Sequence, residues 1–318
     1  MYSSLFFKLF PPPKFLLMPR TGIDISDDAI RFVAYSRPIG ERFITKYGIV
    51  PLEPGIVEGG DIKDEARLVS ILSDMAKAHG ISFAKLSIPE EKAYLFETDV
   101  PPGDRRTISQ HIEFKLEENI PLTAQDAVFA FDVIAGNHGR GWTASVSAVP
   151  RSYIEHMMDV FHRAGITPLS FETVPRAIAR VVSTEDVSGD ILVIHAMRRK
   201  TGIYVISQQA VGFTSTISGG IDDIGASVSY TDTLASEIGR VSAYWKTKNG
   251  TDAPGLKQAI IVGQGADELA SLVRPKVSDI VPVDIIDVWR IVLNTHRYVP
   301  PILKSESFEY APAAGLAI

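Results

Sequence analysis

One repeated pattern constrains this chain more than any other. A strand–turn–strand hairpin followed by a third strand begins near Gly22, and the same plan begins again near Gly189. Strand-like and helix-like periodicities alternate around both, which defines an α/β class. Strand-like runs fall at 21–25, 30–35, 43–51, 84–88, 93–100, 127–135, 143–149, 191–195, 202–207, 211–217 and 259–262. Helical stripes fall at 64–80, 104–119, 151–165, 175–183, 234–248 and 268–274. The stripe from Asp64 starts with an acidic first turn, Asp104 can cap the helix it opens, and Gly80 and Gly165 stand where helices stop. Two halves built on one plan imply a duplicated α/β unit with a cleft between them. The stretch 93–168, with its own strand–helix–strand–strand–helix order, reads as an inserted subdomain. The chain's 318 residues at 45% hydrophobic content are enough for two cores.

Charge and residue types exclude several functions. The net charge of −6 lacks the basic footprint of a nucleic-acid binder, and the densest basic cluster is only Arg198-Arg199-Lys200. With no cysteine there are no disulfides, no thiolate chemistry and no cysteine-type zinc site, which fits a reducing compartment. The histidines lack metal spacing: His156 and His162 are six apart, and no HExxH occurs. Residues 1–20 form a proline-rich arm in which Pro11-Pro12-Pro13 separates two short apolar patches. Those patches fall well short of the ~20 apolar residues a spanning helix needs. The arm is expected either to cover its own protein or to meet a partner or membrane surface.

Several stretches occur in an order that carries a resemblance. They are GIDISDDAI, YGIVPLEPGIVEGGDIKD, IEFKLEENIPL, FHRAGITPLSFETVPRAIAR, VGQGADEL and ESFEYAPAAGLAI. In that order the chain, from about Pro11 to Ile318, resembles the PilM family of type IV pilus assembly proteins. That family shares the actin-like (ribonuclease H-like) fold with the division protein FtsA. The resemblance implies a first half at 21–92, an inserted 1C-type subdomain at 93–168 and a second half at 169–318. Within the second half, a shortened 2B subdomain lies around 219–258, and the closing helix returns toward the first half.

The resemblance also implies a cleft for Mg-ATP. Asp24 would orient magnesium through water. Ser26, Asp27, Asp28 and Thr201 would belong to the phosphate hairpins, and Gly263, Gln264 and Gly265 to the adenosine turn. The residues depart from that pattern at three places. Asp27 and Asp28 replace small polar residues; they either serve Mg²⁺ or are turn formers. HAMRRKTG, at 195–202, replaces a carboxylate and a glycine with His195 and Met197, although its basic turn could attract phosphate. The stretch that would cover adenine is brief. The cleft is therefore expected to be degenerate, the cofactor to be Mg-ATP or none, and ATP turnover not to occur.

The function implied is a scaffold on the cytoplasmic face of the inner membrane, reached indirectly through its partner. That partner would be the N-terminal tail of a PilN-like membrane protein, with further pilus platform proteins and a second copy of the chain as other candidates. Strand edges and apolar pockets would hold the peptide, and Tyr94, Phe96, Phe129 and Phe131 are the candidate wall residues. The alternative is a Mg-ATP switch or weak ATPase, in which Glu172 would position water. An FtsA-like division tether ranks lower, because AAGLAI is not an amphipathic membrane tail.

Overall fold

The computed structural model describes residues 21–36, 42–134, 142–183, 189–224, 229–250 and 254–318. The arm at 1–20 lies outside them. In the first half, strands β1 (Thr21–Ile25), β2 (Ala29–Tyr35) and β3 (Ile44–Pro51) form an antiparallel meander. A two-residue ribbon, β4 (Val57–Glu58) with β5 (Asp61–Ile62), leads into helix α1 (Glu65–His79) and strand β6 (Phe83–Ile88). Strand β7 (Tyr94–Val100), helix α2 (Arg105–Asn119), β8 (Ala127–Ile134) and β9 (Trp142–Pro150) follow, then α3 (Arg151–Arg163), β10 (Thr167–Thr173) and α4 (Val174–Val182). The second half contains β11 (Ile191–Ala196), β12 (Lys200–Ser207), β13 (Ala210–Ser218), α5 (Ser229–Asn249), β14 (Gln258–Gly263), α6 (Ala266–Val277) and β15 (Val283–Ile285). The chain closes with α7 (Ala311–Ala317).

The two large sheets have one topology. Their orders are β10-β6-β1-β2-β3 and β13-β12-β11-β14-β15. Each is a three-strand meander extended by two parallel strands on the far side of its first strand. Strand β10 is absent from the periodicity reading, and the reason is physical. TPLSFET has little apolar alternation, and its register slips between Pro168 and Ser170. Edge strands tolerate both features.

Local chemistry sets the helix ends. The Asp64 carboxylate accepts the Arg67 N–H at 3.0 Å, and Gly80 closes α1 in the left-handed region. The Asp104 carboxylate accepts the Thr107 N–H at 2.8 Å, and α2 stops at Ile120 before a proline.

A shared core joins the halves. Val33 and Tyr35 of the first sheet pack with Val193, Tyr204 and Ile260 of the second, around α4 and α7. Two glycines permit this approach. A Cβ at Gly22 would sit 2.0 Å from the Ala313 carbonyl oxygen, and one at Gly315 would sit 1.8 Å from that of Ala177. The opposite face of the first sheet is covered by α1 and α3, and that of the second by α5 and α6.

The small sheet, ordered β7-β9-β8, carries α2 on one face. Its links to the second half include a Ser145 hydroxyl donated to the Val211 carbonyl at 2.7 Å and a Lys248–Glu97 pair at 2.9 Å.

Candidate functional site

The turns of the two meanders face each other, and a buried polar cluster fills the throat between them. Arg31 lies on a strand whose residues are buried on both faces, so its guanidinium must be paired within the protein. It donates to the Ser26 hydroxyl at 2.8 Å and to the Asp28 carboxylate at 3.1 Å. It also donates to Glu309, at 3.1 Å through Nη2 and at 3.3 Å through Nε. Burial would raise the Asp28 pKa, but Arg31 and the Ser26 hydroxyl beside it together outweigh burial and hold it low. Burial raises the Asp24 pKa against the opposing effects of Ser87 and Arg31.

Across the throat, His195 lies 3.4 Å from the Tyr204 hydroxyl, and burial lowers its pKa to about 3, so it is neutral. Tyr204 in turn lies beside Glu90, whose pKa is pushed up to about 7 by burial and by Glu91. The Glu90 Oε1 atom has no hydrogen-bond partner.

The residues expected to hold a nucleotide are placed as follows. Asp24, Ser26 and Asp28 line the throat with His195, Gly263 and Gln264, and the space left there is about 10 Å³. That volume holds about one water molecule. Asp27 points away from the throat and accepts the Gly59 and Gly60 N–H groups at 3.0 and 3.2 Å. Thr201 is buried, and its hydroxyl is engaged by the Gly219 carbonyl and the Tyr230 hydroxyl. Gly263 and Gly265 have positive φ, as a tight turn requires. Ile221 packs on Gly265, and its N–H bonds back to the Met197 carbonyl at 3.0 Å, which covers the adenosine turn. Arg31 already supplies the cation that would balance these carboxylates. Among the described residues no group of three or more His, Cys, Asp or Glu could hold a metal. In this arrangement the residues do not fit a magnesium nucleotide.

Two larger cavities are lined by the described residues. One, of about 330 Å³, opens at the outer rim of the throat between Ser26–Asp28, the loop from Leu52 to Glu58, and the basic turn Met197–Lys200. The other is a groove of about 350 Å³ between β8 and β10. Both bounding strands are sheet edges, β8 pairing with β9 alone and β10 with β6 alone among the described strands. Val128, Phe129, Ile154 and Phe171 line its apolar part. At the other end, Glu172 accepts from Arg176 at 3.1 Å and from Arg180 at 2.9 Å, and Arg176 reaches Asp132 at 2.7 Å. Burial raises the Glu172 pKa against those arginines and Lys85. Glu172 therefore belongs to the groove, not to the throat.

Of the four candidate wall residues, Phe129 alone lines this groove. Phe131 is buried under α2 with Arg105 over its ring, and Phe96 packs into the same core. Tyr94 is on β7, the opposite edge of the small sheet. The alternation that singled out these aromatics reports the face beneath α2. The groove is made by the strand edge, which side-chain periodicity does not mark. Arg31 could have been found in the sequence, since a lone arginine in AIRFVAY signals a buried ion pair.

A twice-repeated five-stranded sheet, with a cleft between facing hairpins and a three-stranded insertion, defines an actin-like protein. The chain matches the family described as type IV pilus assembly protein PilM over residues 22–221, and it belongs to that family. It is similar in fold to a PilM–PilN type IV pilus biogenesis complex structure (16% identity, 94% of this chain and 97% of that one, TM-score 0.78). It is also similar to the cytoplasmic domain of EpsL, an inner membrane component of the type II secretion system of Vibrio cholerae (13% identity, 92% and 94%, TM-score 0.50). No curated protein matches the sequence. No helix among the described residues is long and apolar enough to cross a membrane.

Proposed function

We propose that this chain is an adaptor of the inner-membrane platform that assembles type IV pili. In this reading it holds the cytoplasmic N-terminal tail of a PilN-like membrane protein in the groove between β8 and β10. The observation that carries the proposal is the groove itself, an open apolar trough bounded by two strand edges. An extended peptide can add to such an edge through main-chain hydrogen bonds while side chains enter the trough. Membership of the PilM family, and the fold shared with a chain solved in complex with PilN, support it. The protein would then reach the inner face of the membrane through its partner.

The nucleotide cleft is read as degenerate, because the throat is filled by Arg31 and its carboxylates and the adenosine turn is covered by Ile221. The test is a fluorescence anisotropy titration with the labelled N-terminal tail of the PilN-like protein. Saturable binding is expected, and a flat titration sinks the adaptor reading. Separately, millimolar Mg-ATP is expected to leave the melting temperature unchanged, since a ligand bound only by the native state must raise it.

A further inference from the structure

Residues 1–20 carry Lys8, Lys14 and Arg20 and no acidic residue, in a chain whose net charge is −6. Two apolar patches stand among those cations, with Phe6, Phe7 and Phe10 in the first and Phe15, Leu16 and Leu17 in the second. Neither is long enough to span a bilayer. Aromatic and aliphatic side chains interleaved with Lys and Arg have the composition that settles at the headgroup boundary of an anionic membrane.

The fold presents a surface of the same kind where this arm begins. Thr21 opens β1 beside Ala34 and Ala84, at the end of the first sheet away from the hairpin turn at 26–28. Around that end run the segments 42–46, 77–83, 165–168 and 296–299, linked by the Lys46–Gly80, Thr167–Ser82 and Tyr298–Ile44 hydrogen bonds. Their Lys and Arg residues are Arg42, Lys46, Lys77 and Arg297, and they contain no Asp or Glu. Arg42 and Lys77 are exposed. Phe43 and Val299 are exposed there too, at 40% and 85%, and the Phe43 ring lies 6.0 Å from that of Tyr298. The second apolar patch of the arm ends three residues before Thr21, so its covalent reach from this end is about 20 Å.

A basic rim offers no complementary charge to a basic arm, and their shared sign argues against the arm covering its own fold. Both complement an anionic surface with an apolar interior. We propose that the arm and this rim together form a lipid-binding face. Lys8, Lys14, Arg42 and Lys77 would meet the headgroups of an anionic bilayer, while the phenylalanines of the arm enter the acyl boundary. Each cation near such a surface adds a modest attraction and the short patches add the rest, so the contact is reversible. It uses no residue of the peptide groove and does not rest on the adaptor reading, which its failure would leave intact.

Vesicle flotation with the full chain, and no peptide, tests this. Vesicles of phosphatidylethanolamine with about one-third phosphatidylglycerol should carry the protein, and phosphatidylcholine vesicles should not. About 0.5 M salt should release most of it. Three variants should each weaken binding at least about tenfold with unchanged melting curves: Lys8→Glu/Lys14→Glu, Arg42→Glu/Lys77→Glu, and Phe6→Ser/Phe7→Ser/Phe10→Ser. No flotation on anionic vesicles, equal binding to phosphatidylcholine, or a phenylalanine variant that melts lower yet floats like wild type would each overturn the proposal. Wild-type binding by Arg42→Glu/Lys77→Glu would remove the rim from the contact and overturn the shared face. Charge variants that lose binding while the phenylalanine variant keeps it would reduce the contact to a general attraction for polyanions, and overturn it as well.

Discussion

The throat and the groove are both junctions between parts of this molecule, yet they differ in volume from about 10 to about 350 Å³. Ionic side chains fill the throat, with Arg31 placed among Ser26, Asp28 and Glu309 where a bound cation would otherwise balance charge. The groove is bounded by the edges of β8 and β10, each without a further strand partner among the described residues, with apolar side chains between them. A site shaped by side chains can be closed by a few substitutions while the backbone stays as it was. The sheets and the α4–α7 core do not depend on what lies between the hairpins, because their close approach is fixed by Gly22 and Gly315. In the proposed reading, the fold persists in this chain while the cleft no longer serves a nucleotide.

The largest test of this contrast removes the cation. Arg31→Ala leaves Asp28 and Glu309 without their counterion beside the buried Asp24. Breaking a buried pair costs about 3–5 kcal/mol. Asp28 and Glu309 keep 18% and 22% of their side-chain exposure, so a loss near the lower end, about 3 kcal/mol, is expected. Denaturant unfolding should show it as a lower midpoint with an unchanged slope. Unchanged stability, or a variant that Mg-ATP now stabilises, would make the throat a ligand site and remove the contrast.

The next test acts on the groove. Val128 lines it and is partly exposed, so Val128→Asp places a charge in the trough with little effect on folding. Tail-peptide affinity should fall at least about 100-fold, or ~2.7 kcal/mol, measured by anisotropy alongside a melting curve. Wild-type affinity in this variant would place the peptide elsewhere.

Glu90 tests the throat in a pH-dependent way. Its pKa rises from 4.5 to about 7 on folding, so between those values the native state binds more protons than the unfolded one. Its carboxylate therefore lowers stability progressively as pH rises from 4.5 to about 7, with a constant penalty above that range. Glu90→Gln should match wild type at acid pH and gain stability through this window, by up to about 2 kcal/mol at pH 8. Paired denaturation curves at pH 4.5 and 8 measure it, and a gain independent of pH would refute the assignment.

How much of this was legible in the sequence differs between the two regions. The meanders around Gly22 and Gly189 were legible because buried strands and their turns leave a local signature. Strand β10 was not, because Pro168 and its register slip break the alternation, and with it went one wall of the groove. Asp24, Ser26 and Asp28 meet His195 and Gly263 in space. Their role was not legible, because it depends on Glu309, which is 278 residues from Arg31 in sequence. Ile221 on Gly265 is likewise a tertiary contact that neither segment announces.

The smallest expected effect concerns whether the throat is a packed core or a latch between halves. Lys200 on the second hairpin pairs with Glu91, which lies between β6 and β7 on the first half. Both side chains are partly exposed, at 16% and 26%, so solvent and salt weaken their attraction. Glu91→Gln should cost no more than about 1 kcal/mol, and the difference should shrink in about 0.5 M salt. If the hydrophobic core around α4 and α7 joins the halves, this pair only trims their fit. A loss above about 2 kcal/mol, beyond what an exposed pair supplies, would instead mean that the halves are held shut across the cleft. The throat would then be a fastening that can open, not a core that has closed.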